Sequence, residues 1–361
     1  MTLEEIKIRR LANQYLTEKG EKLRVIRDLM GFQAQFMSNA LHSTRLRCSG
    51  CDAESAAEGL VKNWTVRGTV HIFAADDLGL FKRCPDGYRS LDFEPSFTWR
   101  RPDGSCNWYD DGGGVRVVSL SPERHREFSE AILEALAGGE KTRDELREVC
   151  RGRGMSAVEE AVMFDAWGGG IRDLSERGFI NGVVSEKKIY RLSPDFTPLP
   201  EDDAMLGMAE RYFRNYAPAT VRDAAYYFGI PQTKVKKLLD RLPVESAECG
   251  GRTYFYIEGG KEYMSGIPDC VFLAGFDGLM LGYEKKENVF LPPEHLRGIF
   301  NLAGIVMPAV LLRGEVAGKW RKKGGKLSVT PFRTLSADET RIIKDSAEKT
   351  WDDLRAVDIN I

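Results

Sequence analysis

The chain has no apolar run near the roughly 20 residues that a membrane-spanning helix needs. Its first residues, MTLEEIKIRRLANQYL, lack the continuous apolar centre of a signal peptide. A cytoplasmic protein with no membrane partner is expected. Histidine is scarce: the four, His42, His71, His125 and His295, form no HxH or HExxH pair. Seven cysteines are scattered. Cys48 and Cys51 have ligand-like spacing, but no second pair follows at a zinc-site distance. Free thiols, no metal and no cofactor are therefore expected. An excess of one charge is also missing. The 52 Lys and Arg face 54 Asp and Glu, a net charge of −2, so the chain as a whole does not announce a nucleic-acid binder.

Local charge reads differently. Residues 1–50 hold nine Lys and Arg against five Asp and Glu, and residues 313–326 hold six against one. Basic patches of this kind are the electrostatic footprint of a phosphate-backbone binder, although a solvated surface is the plainer reading of charge alone. With 361 residues, 42% hydrophobic and 29% charged, the chain can build two or three globular domains.

Periodicity predicts helices around Ile6–Leu16, Leu23–Met30, Gly31–Leu46 and Ala53–Asn63, then strands across Trp64–Phe73 turning at Gly68. Helices followed by a short hairpin is the order of a winged helix. Residues 85–120, with DDGGG at Asp110–Gly114, read as an irregular connection. Its glycines are no phosphate loop, because no Lys-Ser/Thr follows. The order returns from Ser121. Thr142 and Glu145 form a capping box, AVEEAVMFDAWGGGIRDLSERG reads as one long helix, and FINGVVSEKKIYRLS reads as a wing. It returns again through AMLGMAERYFRNY, a helix capped by Thr220, IPQTKVKKLLDRL, and a hairpin turning at Gly250-Gly251. From about Asp269 the pattern is β-rich and suggests a small barrel-like domain. The expected class is α+β: three mainly helical tandem winged-helix modules at 1–84, 121–198 and 199–262, then a β-rich domain at 263–361. DNA binding is the commonest use of such modules.

The stretch GFQAQF, Gly31–Phe36, is the odd one. On a helix, side chains advance roughly 100° each, so Gln33 and Gln35 would point about 200° apart. Gln35 would then share a polar stripe with Ser38, Asn39, His42 and Arg45. Gln33 would share an apolar one with Phe36, Met37 and Ala40. Either Gln33 finds buried partners, or it sits too near the helix start to follow the helical step.

The segments LANQYL, GFQAQF, VRGTVHIF with Ala75-Asp76, APATVRDAAYYFG, FLAGFDGLMLGY and LLRGEVAGKW span nearly the whole chain. Together they resemble the winged-helix DNA glycosylases that unhook interstrand crosslinks and remove alkylated purines, the AlkZ-like family. The resemblance implies three tandem winged helices with a C-terminal β-domain. It also implies a catalytic motif of two glutamines around an apolar residue, which falls here on Gln33, Ala34 and Gln35. A related branch has aspartate at the second glutamine, so Gln35 puts this chain with the crosslink-type branch. The implied partner is double-stranded DNA with alkylated or crosslinked bases, acted on by a monomer.

That chemistry suits amides. A purine alkylated on a ring nitrogen is cationic and leaves as a neutral base, so no general acid is needed. A glutamine carbonyl can hold the attacking water without adding a cation that repels the substrate. Beyond the two glutamines, alternation along a strand would put Arg67, Thr69 and His71 on one side, to line a lesion pocket or hold the wing. Lys322 and Lys323, in a basic hairpin turning at Gly324-Gly325, are expected to lie along phosphates. Asp277 before Gly278 reads as a turn former without a catalytic role. The expectation is a monofunctional, metal-independent DNA glycosylase for cationic alkylated purines, crosslinked ones included. The rivals are a non-catalytic winged-helix regulator, which would release no base, and a protein scaffold, which would not bind DNA.

Overall fold

The computed structural model describes residues 1–50, 57–82, 120, 122–166, 168–259, 263 and 266–360. The architecture is α+β. It starts with α1 (Leu3–Asn13), held at its start by a Thr2/Glu5 capping box, then α2 (Lys22–Asp28). A two-residue strand β1 (Phe32–Gln33) precedes α3 (Met37–Arg47). Next come β2 (Leu60–Trp64), β3 (Val70–Ala74) and the short α4 (Leu78–Phe81). Then follow α5 (Pro122–Ala137), β4 (Lys141–Thr142), α6 (Arg143–Gly152), α7 (Ala157–Met163), α8 (Gly169–Glu176), β5 (Ile180–Gly182) and β6 (Ile189–Leu192). The next group is α9 (Glu201–Asn215), α10 (Val221–Phe228), α11 (Gln232–Leu239), β7 (Glu245–Cys249) and β8 (Arg252–Tyr256). The remaining elements are β9 (Cys270–Leu273), α12 (Gly278–Leu281), α13 (Leu296–Ile299), β10 (Ala309–Leu312), β11 (Glu315–Lys323), β12 (Lys326–Pro331), α14 (Ala337–Thr350) and β13 (Ala356–Ile359). None of the described helices is long and apolar enough to cross a membrane.

The chain divides into two compact units, Met1–Ala56 with Met205–Ile361, and Ala57–Ala204. In the second, the β2–β3 hairpin and the β5–β6 hairpin join in one sheet through Lys62 and Gly182, in the order β3-β2-β5-β6-β4. Gly182 lets the strands approach closely at the junction: a Cβ there would stand 3.1 Å from the Lys62 carbonyl oxygen, a tight contact. The core of this unit gathers Phe128, Ile132, Leu146, Ile171, Leu174 and Ile180.

In the first unit, a five-stranded sheet runs β13-β12-β11-β10-β9. Its end strands have no closing pair among the described residues, and α14 packs Ile343 and Ala347 on Phe272, Val310, Leu327 and Val329. The tail is therefore an open sheet covered by a helix. The barrel expectation is corrected: strand alternation was visible, but α14 has its own Ser336/Glu339 capping box and an apolar face. The hairpin β7–β8 turns at Gly250-Gly251, both with positive φ (56° and 72°), the two-residue turn that glycine favours.

Three local expectations also change. The stretch expected as one helix from Ala157 to Gly178 is two, α7 and α8. Gly168 and Gly169 adopt φ 129° and 56°, and a Cβ on Gly169 would come within 2.2 Å of the Val162 carbonyl oxygen. Part of the helix expected at 53–63 is strand β2, where Leu60 and Val61 are buried; residues 53–56 and the connection 85–119 lie outside the described residues. The helix expected after Gly31 begins only at Met37.

Candidate active site

Met30 and Gly31 both adopt positive φ (57° and 87°) and turn the chain out of α2. The following segment is not helical, so the 100° step does not apply to the glutamines. Burial alternates instead: Phe32 and Ala34 are buried, Gln33 is half-buried and Gln35 is exposed. Strand β1 ends at Gln33 and the chain bends at Gln35, so both glutamines reach solvent while Phe32 and Ala34 stay in the core. Phe36 closes the segment at the N-cap of α3, with φ −122° and ψ 110° and no side-chain cap bond.

Helix α3 buries Met37, Ala40, Ser43, Thr44 and Arg47 and leaves Ser38 and Arg45 exposed. Its buried side is clamped to the segment Phe272–Asp277. The Arg47 guanidinium donates to both Asp277 carboxylate oxygens at 2.7 and 3.0 Å, with both side chains 0% exposed. Arg47 also donates to the carbonyls of Gln14 (3.0 Å) and Ser43 (3.4 Å). Asp277 accepts in turn from the Leu279 backbone N–H at 2.9 Å and so caps α12. Asp277 is thus a helix N-cap where a turn former was expected, and its larger contact is Arg47, 230 residues away. Asn39 lies against Gly275, where a Cβ would sit 2.8 Å from Asn39 Nδ2. Phe276, at φ 59°, stacks on Phe36 with centroids 5.9 Å apart.

His42 is largely enclosed. Its Nε2 donates to the Phe272 carbonyl at 2.7 Å, and its ring lies nearly parallel to Trp351 (5.6 Å, 13°) and beside Trp320 (5.1 Å). Burial lowers its pKa. At this end of α3 a groove of about 970 Å³ opens, lined among others by Lys19, His42, Arg45, Lys349 and Trp351. Lys322 reaches the same region by donating to Asp353, a groove residue, at 2.6 Å. Lys323 stands exposed at the hairpin tip. The structure thus gathers His42 and Arg45 in one groove and ties Lys322 to its rim.

Arg67, Thr69 and His71 belong to the second unit. Only His71 lies on a strand; Arg67 and Thr69 sit in the β2–β3 turn, so strand alternation does not align the three. His71 is buried, with Nδ1 donating to the Thr69 carbonyl at 2.9 Å and lying 3.2 Å from Thr65 Oγ1. Burial, and then the Arg67 charge, lower its pKa to about 3, so the ring is neutral and braces its own turn. Among the described residues, no three His, Cys, Asp or Glu side chains gather as a metal-ligand set.

Residues 26–352 match the family model described as "DNA glycosylase AlkZ-like". The chain belongs to the AlkZ-like DNA glycosylase family. It is 29% identical over 331 residues to the interstrand DNA cross-link repair glycosylase of Streptomyces sahachiroi, covering 85% of this chain and 84% of that protein. It superposes on the solved structure of Streptomyces sahachiroi DNA glycosylase AlkZ with a TM-score of 0.77, at 24% identity and over the full length of both chains.

A second buried polar centre in this AlkZ-like chain escaped the sequence reading. Arg10 donates to Asp223 at 3.1 Å and to the Pro218 carbonyl at 2.8 Å, and lies 3.7 Å over the Tyr283 ring. Gln14 donates to the Tyr283 hydroxyl at 2.7 Å, which donates to the Tyr216 carbonyl. With Asn13 donating to the Ala217 carbonyl at 2.9 Å, these contacts join Arg10 and LANQYL to APATVRDAAYYFG and FLAGFDGLMLGY, so those stretches hold the unit together around α1. Phe36 and Trp351 are the other residues missed. Phe36 had been assigned to an apolar helix stripe, and Trp351 carries no local signal.

Proposed function

We propose that this AlkZ-like glycosylase hydrolyses the N-glycosidic bond of cationic, ring-nitrogen-alkylated purines in duplex DNA, with crosslinked purines among its substrates. The observation that carries the reading is the non-helical Phe32–Phe36 segment. It buries Phe32 and Ala34 and leaves Gln33 half-buried and Gln35 exposed. Gln35 orients the attacking water through its amide carbonyl, and Gln33, two residues before it, supports that water. The purine departs with the bonding electrons and becomes neutral. Water adds to the sugar carbon and its proton passes to solvent. No carboxylate base, amine nucleophile or metal is required, so the enzyme is monofunctional and leaves an intact abasic site. Interstrand DNA cross-link repair is the activity in the name of the Streptomyces sahachiroi relative.

On the first unit, DNA would be held by phosphate contacts from Arg45 and Lys323, which are exposed, with Asn39 on the same helix as Arg45; on the second unit, Arg67 and Thr69 would contact DNA. Lys322 contributes less because it already pairs with Asp353. The enclosed His42 and His71 shape these surfaces. We read the elements in chain order as three tandem winged helices, 1–84, 121–198 and 199–262, followed by the domain 263–361, acting as a monomer in the cytoplasm.

The test is incubation with a duplex carrying N7-methylguanine, scoring abasic sites by later alkali treatment. Release is expected to survive EDTA, and borohydride is expected to trap no protein on the DNA. Sequence-selective binding without release would make the protein a regulator. An absence of salt-dependent DNA binding would make it a scaffold. A borohydride-trapped adduct would reveal an amine nucleophile in place of water.

A further inference from the structure

Among the described residues, Phe36 is the one aromatic ring in the set of exposed large hydrophobic side chains, at 47% exposure. A lone exposed apolar residue usually needs no explanation, but Phe36 is unusual in two respects. It follows Gln35 directly, at the point where the chain enters α3. It is also backed: Phe276 stacks against it at 5.9 Å and 21° and is itself only 8% exposed. Phe276 holds φ 59°, a left-handed conformation that a bulky residue adopts only when its surroundings impose it. The surroundings are visible. The Phe276 N–H donates to the Val306 carbonyl at 3.2 Å, and the next residue is Asp277, locked to Arg47. One side of the Phe36 ring therefore rests on a rigid support, while much of its remaining surface is free.

We propose that Phe36 is the stacking platform for the alkylated purine, and that it selects the cationic base over a neutral one. This rests on the glycosylase reading and adds a recognition residue to it. An aromatic face attracts a cation placed over it, and every nucleobase has a face to stack. Geometry and charge set when the contact acts. The positive charge sits on the base before the bond breaks and moves to the sugar as it breaks. The platform is consequently strongest toward bound, intact substrate. It contributes to capture of the lesion and little to the chemical step, because only interactions that strengthen in the transition state raise the rate at saturation.

The experiment compares Phe36→Leu, which keeps apolar bulk over Phe276, with Phe36→Trp, which keeps a π face. In single turnover on an N7-methylguanine duplex, Phe36→Leu is expected to raise the half-saturating enzyme concentration about tenfold. The rate at saturation should stay within about threefold, and Phe36→Trp should restore capture. A merely structural role would lower the saturated rate and thermal stability together, and would overturn the proposal. A second arm measures affinity for the same duplex and its undamaged counterpart in a Gln35→Ala background. The parent should favour the lesion, and Phe36→Leu should lose most of that preference while binding undamaged DNA equally well. A parent that prefers the lesion yet releases no base would sink the glycosylase reading and leave the platform standing. Undiminished preference in Phe36→Leu, or no preference in the parent, would sink the platform whatever the activity.

Discussion

Replacing Asp277 by alanine tests the clamp between α3 and the Phe272–Asp277 segment. The carboxylate and the Arg47 guanidinium are both 0% exposed and share two hydrogen bonds. Removing one member of such a pair leaves the other charge buried and uncompensated, at a cost of roughly 3–5 kcal/mol. The same substitution removes the acceptor that caps α12 at Leu279, about 1 kcal/mol more. The total is about 4–6 kcal/mol, a large part of the roughly 5–15 kcal/mol that holds a typical domain folded. At about 2–4 °C per kcal/mol for a unit of this size, Tm followed by circular dichroism should fall by roughly 10–20 °C. Asp277→Asn keeps the cap oxygen and the side-chain volume, and so should lose less. The informative comparison is Asp277→Asn with Arg47→Met, which removes both charges. A buried pair replaced as a pair is often close to neutral, because neither charge has to be desolvated. The double variant should therefore be more stable than Asp277→Asn alone. A fall of less than about 3 °C in Asp277→Ala, or a double variant less stable than the single one, would refute the reasoning.

Gln35→Ala should remove most base release while leaving affinity for the duplex within about threefold, and Gln33→Ala should slow release as well; parent rates for both in single turnover would reject the assignment of the site. Lys323→Ala should weaken binding to all duplexes alike and reduce the slope of log affinity against log salt by about one, with a smaller change for Lys322→Ala because Asp353 already holds that ammonium. An unchanged slope in both would move the backbone contact elsewhere. His71 and His125 are neutral in the fold, with pKa values lowered to about 3 and about 4, chiefly by burial. Between those values and the ordinary 6.5, the unfolded chain binds more protons, so stability should fall as pH drops below about 6.5, by up to about 1.4 kcal/mol per pH unit for each ring. Thermal melts of His71→Gln between pH 6.5 and 5 should show a shallower decline than the parent, and an equal slope would mean that the ring is already protonated in the fold.

Local signals in the sequence were reliable where the physics is local. The capping box at Thr142, the N-cap at Thr220 and the glycine turn of β7–β8 lie where their residue types predict. They depend on contacts three or four residues apart. At Gly31–Phe36 the local pattern misleads, because Met30 and Gly31 turn the chain into a two-residue strand and a bend before α3 begins. It misleads again at Gly168-Gly169, where close helix approach splits the expected long helix. The pairs Arg47–Asp277 and Arg10–Asp223 join residues more than 200 positions apart, and no periodicity encodes such a meeting. The polar stripe predicted on α3 kept Ser38 and Arg45 on the surface but lost His42 to an aromatic pocket. Its partners Trp320 and Trp351 come from the far end of the chain.

The proposed amide catalysis would account for the number of contacts that hold α3. A carboxylate base tolerates some misplacement, because its charge acts over distance and its basicity does part of the work. A glutamine has neither resource. Its carbonyl must stand within ordinary hydrogen-bond reach of a water that is itself held against the sugar. The neighbours of Gln35 are arranged accordingly. Ala34 is anchored in the core immediately before it, and further along α3 His42 pins the helix to the Phe272 carbonyl and Arg47 pins it to Asp277 at the start of α12. On the proposed chemistry, loosening any of these should cost rate without changing a single group that touches DNA. Asp277→Asn, the mildest way to loosen them, should thus lower the single-turnover rate at saturation in a variant that remains folded and binds undamaged duplex normally.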